Sequence, residues 1–319
     1  MTIATVTPNP ALDVTYTVDE LEVGAENRVT GVVSRPGGKG VNTANVLRYL
    51  GSDVLVLGLV GGRAGLELRS QLADRGVREA LTPIAGDTRR TVAVVDARSG
   101  RTTLLNEPGP VVSGAEWHSL LESVTRAGAT ARVVTMSGSL PRGAGVDAYA
   151  QLVVAARAGG GLGIPVIVDT SGPALAAACV AEPDLVKPNT AELAAAFPDL
   201  PDPAARAGEL LRLGARAVAV SAGSEGLRVL TPRFTVRGRL PRVLEGNATG
   251  AGDAALAAFA WGLAIVDDPA AVWADRAGVV ELLRRAVAVS AAAVLAPVAG
   301  EVDPDDVSML MKEVDTSDR

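Results

Sequence analysis

The sequence predicts an α/β fold, a doubly wound and mainly parallel sheet flanked by helices, and three observations carry that prediction. Apolar runs of strand length, such as 2–6, 54–60 and 132–136, alternate with segments of helical period, such as 43–50, 65–75 and 111–126. Alternation of this kind builds βαβ units, whose crossovers make neighbouring strands parallel. Several of these runs end in loops of Gly, Pro and polar side chains, and in open sheets ligands sit at that edge. The third observation is Glu245-Gly246-Asn247-Ala248-Thr249-Gly250-Ala251-Gly252-Asp253, which leads into the uncharged run 254–266. Glycines around Ala251 let backbone N–H groups converge, and a helix start adds unpaired donors and a partial positive charge. The stretch reads as an anion site with Asp253 beside it to take a proton from an attacking hydroxyl. An isolated acidic residue at a helix start would look the same, so the rest of the chain has to decide.

In chain order, 2–6 is a central strand, and Thr7-Pro8-Asn9-Pro10-Ala11-Leu12-Asp13 stiffens the turn after it, leaving Asp13 at the strand's C-terminal edge. Polar and apolar residues interleave in 14–18 and 28–33, as in strands wet on one face, so a small β excursion is expected. Gly37-Gly38-Lys39-Gly40-Val41-Asn42 opens the helical pattern 43–50 but lacks the Gly-x4-Gly-Lys-Ser/Thr spacing of a Walker A loop. After strand 54–60, helix 65–75 and the extended 77–84, residues 88–95 and 101–105 read as a hairpin that could join the earlier excursion. Alternation resumes with helix 111–126, strand 132–136, the loop Ser137-Gly138-Ser139-Leu140-Pro141, a helix to 157 and strand 166–168. Leu185-Val186 leads into Lys187-Pro188-Asn189-Thr190-Ala191-Glu192-Leu193, where Asn189 and Glu192 have the spacing of a capping pair. Strand 217–221 turns through Ser221-Ala222-Gly223-Ser224-Glu225-Gly226 into a hairpin of 227–230 and 234–236, and long helical patterns flank Pro269. No repeat or linker divides the chain, so 1–319 is expected to be a single domain.

Bulk properties narrow the function. Hydrophobic residues make up 48% of the chain, yet the longest uncharged runs, 254–266 and 286–300, fall short of the roughly 20 residues a spanning helix needs. The first residues, Met1-Thr2-Ile3-Ala4-Thr5-Val6, read as a strand rather than a signal peptide, which makes the expected location cytoplasmic. Cys179 is the single cysteine and His118 the single histidine, so an intramolecular disulfide and a Cys/His zinc site are excluded. His118, in Glu116-Trp117-His118-Ser119, reads as a surface residue, and any metal must be bound by oxygen. A net charge of −6 and aromatics at 3% argue against a nucleic-acid surface. Against that acidic background, the stretch between Glu26 and Asp53 holds Arg28, Arg35, Lys39 and Arg48 and no acidic residue, which points to a small anionic ligand.

Five motifs, residues 7–13, 37–42, 137–141, 187–193 and 249–253, stand in the order and spacing of the ribokinase-type (pfkB-type) carbohydrate kinases, and the chain resembles that family over nearly all its length. The Asn-Pro-Ala-x-Asp opening and Gly-Gly-Lys-Gly-x-Asn are similar to the phosphosugar branch, which includes 1-phosphofructokinase, tagatose-6-phosphate kinase and the minor-type 6-phosphofructokinase. The resemblance implies a ribokinase-like fold with a small β-sheet lid made by segments near 13–35 and 88–107, often the dimer interface. It implies ATP-dependent phosphorylation of a ketohexose phosphate, with fructose 1-phosphate going to fructose 1,6-bisphosphate ahead of tagatose 6-phosphate and fructose 6-phosphate. Asp253 then matches the general base, and Gly250, Ala251 and Gly252 the backbone donors for the transferring phosphoryl group. Asp13, Gly38 and Asn42 match sugar-hydroxyl contacts, while Lys39, Arg89, Arg28 and Ser137 would stand near the substrate phosphate. Lys187, Asn189, Ser221, Gly223 and Gly226 match the nucleotide side, and Asn189 with Glu192 the pair that orders Mg²⁺ through water. The chain departs from the branch at Ala222, where Leu is usual, and at Arg90, which follows Arg89 where a smaller or amide residue is frequent. A sensor that binds a sugar phosphate without catalysis is the alternative of another class, opposed by the intact Gly252 and Asp253.

Overall fold

The computed structural model describes residues 1–318. The first half of the chain holds β1 (Thr2–Thr7), β2 (Ala11–Val18), β3 (Val29–Gly37), α1 (Lys39–Tyr49), β4 (Asp53–Val60) and α2 (Gly62–Asp74). Two short strands follow, β5 (Arg78–Glu79) and β6 (Thr82–Pro83), then β7 (Arg89–Asp96), β8 (Thr102–Asn106), α3 (Gly114–Gly128), β9 (Val133–Ser137) and α4 (Ala148–Gly160). The second half continues with β10 (Val166–Asp169), α5 (Pro173–Cys179), β11 (Leu185–Val186), α6 (Thr190–Ala196), α7 (Pro203–Arg212) and β12 (Val218–Ser221). It closes with β13 (Leu227–Leu230), β14 (Thr235–Arg239), α8 (Ala251–Ile265), α9 (Arg276–Leu295), α10 (Pro304–Glu313) and β15 (Asp315–Ser317).

Among the described residues, the main sheet has eleven strands in the order β15-β14-β13-β12-β11-β10-β9-β1-β4-β5, with β6 also on β4. From β5 to β12 the pairing is parallel, and β13 to β15 add an antiparallel edge. Strands covered on both faces read as continuous apolar runs, which is why Ile3, Ala4 and Val6 of β1 are all fully buried. Their alternation divides the core: Ile3 packs with α1, α8 and α9 on one face, while Ala4 and Val6 pack with α3 and α4 on the other. Full burial of a side chain such as Phe259 in α8 contributes about 1.5–3 kcal/mol, which is what makes a helix without charged residues beyond its first turn useful there. No helix among the described residues is long and apolar enough to cross a membrane.

Strand order reverses at β1, because β4 lies on one side of it and β9 on the other. That reversal opens a crevice at the C-terminal edge, the place where open α/β sheets bind ligands. Residues 11–37 and 89–106, from the two segments expected to form a β excursion and a hairpin, make a separate four-stranded sheet in the order β3-β2-β7-β8. Its β2 pairs antiparallel with β3 and parallel with β7, so Asp13 stands opposite both Arg35 and Thr91. The helix expected over 111–126 starts later, at Gly114, because Ser113 and Glu116 form a reciprocal capping box and Val111 instead bridges to Arg142.

Candidate active site

The C-terminal ends of β9, β10, β11 and β12 present Ser137, Asp169, Lys187 and Ser221 in a row, since Asp169 pairs with Ser137 and Val186 with Val168. The start of α8 faces this row. Gly250 precedes the helix with φ 84, in the left-handed region that favours glycine, and a Cβ there would come within 2.9 Å of Ala299. The first α-helical bond runs from Ala254 N to Gly250 O at 2.9 Å, leaving the N–H groups of Gly252 and Asp253 ahead of it. Ala251 N turns back to Ala248 O at 3.3 Å, a weak use of that donor. A Cβ placed on Gly252 would meet only the Lys187 ammonium within 4 Å, at 3.5 Å. The helix N-terminus therefore opens on free space with a cation beside it, a cradle for a phosphoryl group.

Asp253 lies in the first turn of α8, 7% exposed, and its Oδ2 accepts a hydrogen bond from Asn42 Nδ2 at 2.9 Å. Burial, and then the nearby Asp169 carboxylate, push its pKa up to about 7, while Asn42, Lys39 and Lys187 hold it down. A carboxyl poised there can accept a proton near neutral pH.

Asp169 is buried between two ammonium groups, with Lys187 Nζ 2.8 Å from one oxygen and Lys39 Nζ 3.0 Å from the other. Burial favours its neutral form, but Lys187 and Lys39 outweigh that and hold its pKa below the usual carboxylate range. Lys39 also reaches Glu192 at 3.2 Å, and the two carboxylates overcome its own burial to keep the ammonium charged. Lys39, expected near the substrate phosphate, has its ammonium against Asp169 and Glu192.

On the other side of the crevice, Asp13 is held in the four-stranded sheet, where burial raises its pKa to about 6 against the opposing pull of Thr91 and Arg89. A Cβ on Gly37 would lie 2.0 Å from the Asp13 carboxylate, so a side chain there would push that carboxylate out of its place. Arg89 is half-buried and donates from Nε to Asn9 O at 3.3 Å. Asp13, Arg35, Asn42, Asn45, Thr91, Thr249 and Glu301 line a cleft of about 1230 Å³ between the small sheet and the main body. Gly38 precedes α1, Ser137 is fully buried with no hydrogen-bond partner for its hydroxyl, and Arg28 is exposed just before β3, outside the cleft lining.

Among the residues expected to face the nucleotide, Asn189 caps α6 and bridges to Ser221 at the end of β12. Asn189 Oδ1 accepts from Glu192 N at 2.8 Å and Glu192 Oε2 from Asn189 N at 2.9 Å, so the pair is a complete capping box. Direct metal ligation would disturb that cap, but the remaining lone pairs of both side chains fit the water shell of a hard divalent cation. Gly223 begins a 3-10 turn ending at Glu225, and Gly226 follows with φ 86, its Cβ position only 2.2 Å from Gly238 O.

Asp169, Thr91 and Glu301 escaped the sequence reading, and Arg35 entered it only as part of the basic stretch. The signal for Asp169 is an acidic residue ending the apolar run Val166-Ile167-Val168, at the edge where ligands sit. Nothing local marks Thr91 or Glu301, which reach the cleft through strand register and a distant loop.

Residues 9–306 match the sequence profile of the pfkB family carbohydrate kinases. A protein of Xanthomonas campestris pv. campestris named 1-phosphofructokinase is 38% identical over 273 residues, 83% of this chain and 84% of that protein. One of Rhodobacter capsulatus with the same name is 38% identical over 260 residues, 80% of this chain and 81% of that one. The tetrameric inhibited form of phosphofructokinase-2 from Escherichia coli has a TM-score of 0.85 at 31% identity, covering 97% of this chain and 98% of that one. A ribokinase from Thermotoga maritima, 18% identical with a TM-score of 0.72 over 97% of this chain and 99% of that one, shares the fold.

Proposed function

Because the chain belongs to the pfkB family of carbohydrate kinases and is a phosphotransferase acting on an alcohol group, we propose that it transfers the γ-phosphoryl group of ATP to fructose 1-phosphate, giving fructose 1,6-bisphosphate. The observation that carries this reading is Asp253, buried at the open N-terminus of α8 with Lys187 beside the space in front of Gly252.

In the proposed reaction, Asp13, Gly38 and Asn42 hold sugar hydroxyls so that one hydroxyl oxygen points at the cradle. Asp253 takes that hydroxyl's proton as the oxygen forms its bond to phosphorus, and the bond from phosphorus to the ADP oxygen breaks. Negative charge spreads over the transferring group in such a step, so most of the rate gain comes from positioning and neutralisation. The N–H groups of Gly250, Ala251 and Gly252 supply part of it. Lys187 and Lys39, held in place by Asp169, supply the rest, which gives Lys39 a task at the transferring group. Arg89, Arg28 and Ser137 are left to the substrate's own phosphate. Ser221, Gly223 and Gly226 cradle the nucleotide, and Asn189 and Glu192 would hold Mg²⁺ through its water shell, where the metal would supply charge neutralisation on the ATP phosphates. The small sheet acts as the lid of the single domain, excluding water that would otherwise hydrolyse ATP.

A coupled ADP-release assay with Mg-ATP tests the reading against fructose 1-phosphate, tagatose 6-phosphate, fructose 6-phosphate and free fructose. The highest kcat/KM is expected for fructose 1-phosphate. A preference for tagatose 6-phosphate or fructose 6-phosphate would replace the substrate and keep the mechanism, and ADP release with none of them would overturn the phosphosugar reading in favour of an untested sugar or a silent binder.

A further inference from the structure

Arg35 belongs to the basic stretch that sets this acidic chain apart, yet none of the functions above uses it. It stands opposite Asp13 across β2 and β3, and Asp13 stands opposite Thr91 across β2 and β7, so the three side chains share one face of the small sheet. All three line the cleft. The Arg35 guanidinium meets Glu301 at 3.0 Å from Nη1 to Oε1, with the two side chains 38% and 36% exposed. Among the described residues, that single contact is its one hydrogen bond, although a guanidinium carries five donors in a fork suited to a phosphate.

Glu301 ends the segment that supports the phosphoryl cradle. A Cβ on Gly250 would strike Ala299, and a Cβ on Gly300 would lie 3.3 Å from Asn42, the residue that holds Asp253. The pair thus spans the cleft from the small sheet to the loop under the catalytic turn. A one-point ion pair at this exposure stabilises little, whereas a dianionic phosphate can take two parallel N–H bonds from the same group.

We propose that Arg35 is a specificity-determining ligand of the phosphosugar's own phosphate, and that Glu301 is an internal competitor that the incoming phosphate displaces. The inference rests on the phosphosugar kinase reading and deepens it: the ion pair makes the cleft select for a sugar that brings a dianion.

The test compares Arg35→Gln, Arg35→Lys and Glu301→Gln with the wild type on whichever phosphosugar the wild type turns over, fitting KM for sugar and for ATP separately. Arg35→Gln should raise KM for the phosphosugar roughly tenfold to a hundredfold with KM for ATP unchanged, and Arg35→Lys should restore part of the loss. Glu301→Gln should lower the phosphosugar KM, because the competitor's charge is gone. Opposite signs at the two positions are the signature. If the pair is only a strut between sheet and loop, both substitutions will raise KM or lower the melting temperature together, and the proposal falls. Wild type that turns over no phosphosugar overturns the phosphosugar reading itself. Wild-type turnover with an unchanged KM in Arg35→Gln overturns this inference alone.

Discussion

At the scale of single residues, Asp253 combines two costs that its chemistry explains. The fold moves its carboxyl from the ordinary 3.8 to about 7, through burial and the neighbouring Asp169 charge. A base must be unprotonated to work, so kcat/KM should fall as pH drops through about 7, read from a pH profile at saturating ATP. Asp253→Asn should fold but lose on the order of 100-fold or more in kcat, and unchanged turnover would remove it from the mechanism. The same shift carries a stability consequence with a definite sign. A raised acid pKa means that the fold disfavours the ionised form, at no cost below about 3.8 and at full cost above about 7. Asp253→Asn should therefore melt higher than the wild type, by a margin that widens from about pH 5 to about pH 8 in thermal scans. Asp253 was legible as a candidate site residue because turn, glycines and carboxylate are contiguous. Asp169 was not, because its meaning depends on Lys39 and Lys187, which come from distant parts of the chain.

At the scale of elements, the turn into α8 separates two kinds of glycine. Gly250 needs its left-handed φ and its contact with Ala299, so Gly250→Ala should lose stability, with the strain alone costing about 1–2 kcal/mol. Gly252 lies in the helix and its Cβ position faces open space beside Lys187, so Gly252→Val should keep most of its stability and lose phosphoryl transfer by filling the cradle. Thermal melts and turnover of the two variants check the contrast, and equal loss of both properties in both variants would refute it. The capping pair of α6 teaches a related lesson. Asn189 and Glu192 at that spacing predict a cap, and the cap is there in full. The same spacing leaves Glu192 turned to Lys39 as well, so a local structural device and a charge in the site are one residue. Element boundaries were less legible: Ser113 and Glu116 delay the start of α3, and β15 reaches the far edge of the sheet from the last residues described.

At the scale of the whole molecule, the small sheet exposes apolar side chains on both faces, with Val33 at 49%, Leu104 at 55% and Leu105 at 58%. We propose that this sheet pairs with its copy to form a homodimer, which light scattering should report as twice the chain mass, with Leu104→Lys shifting it to the monomer. A wild-type monomer at working concentration would refute the lid interface. The main sheet was legible from the alternation of strand and helix, because a strand buried on both faces must be apolar throughout and a crossover helix must follow it. The motif-bearing turns were legible too, since a glycine-lined approach to an anion is written in consecutive residues. What the tertiary structure alone decided is which charges meet: Lys39 with Asp169 and Glu192, Arg35 with Glu301, and Asn42 with Asp253. Local patterns specify elements through backbone geometry and burial, whereas an ion pair between residues far apart in sequence exists only once the sheet order and the strand register have brought its two ends together.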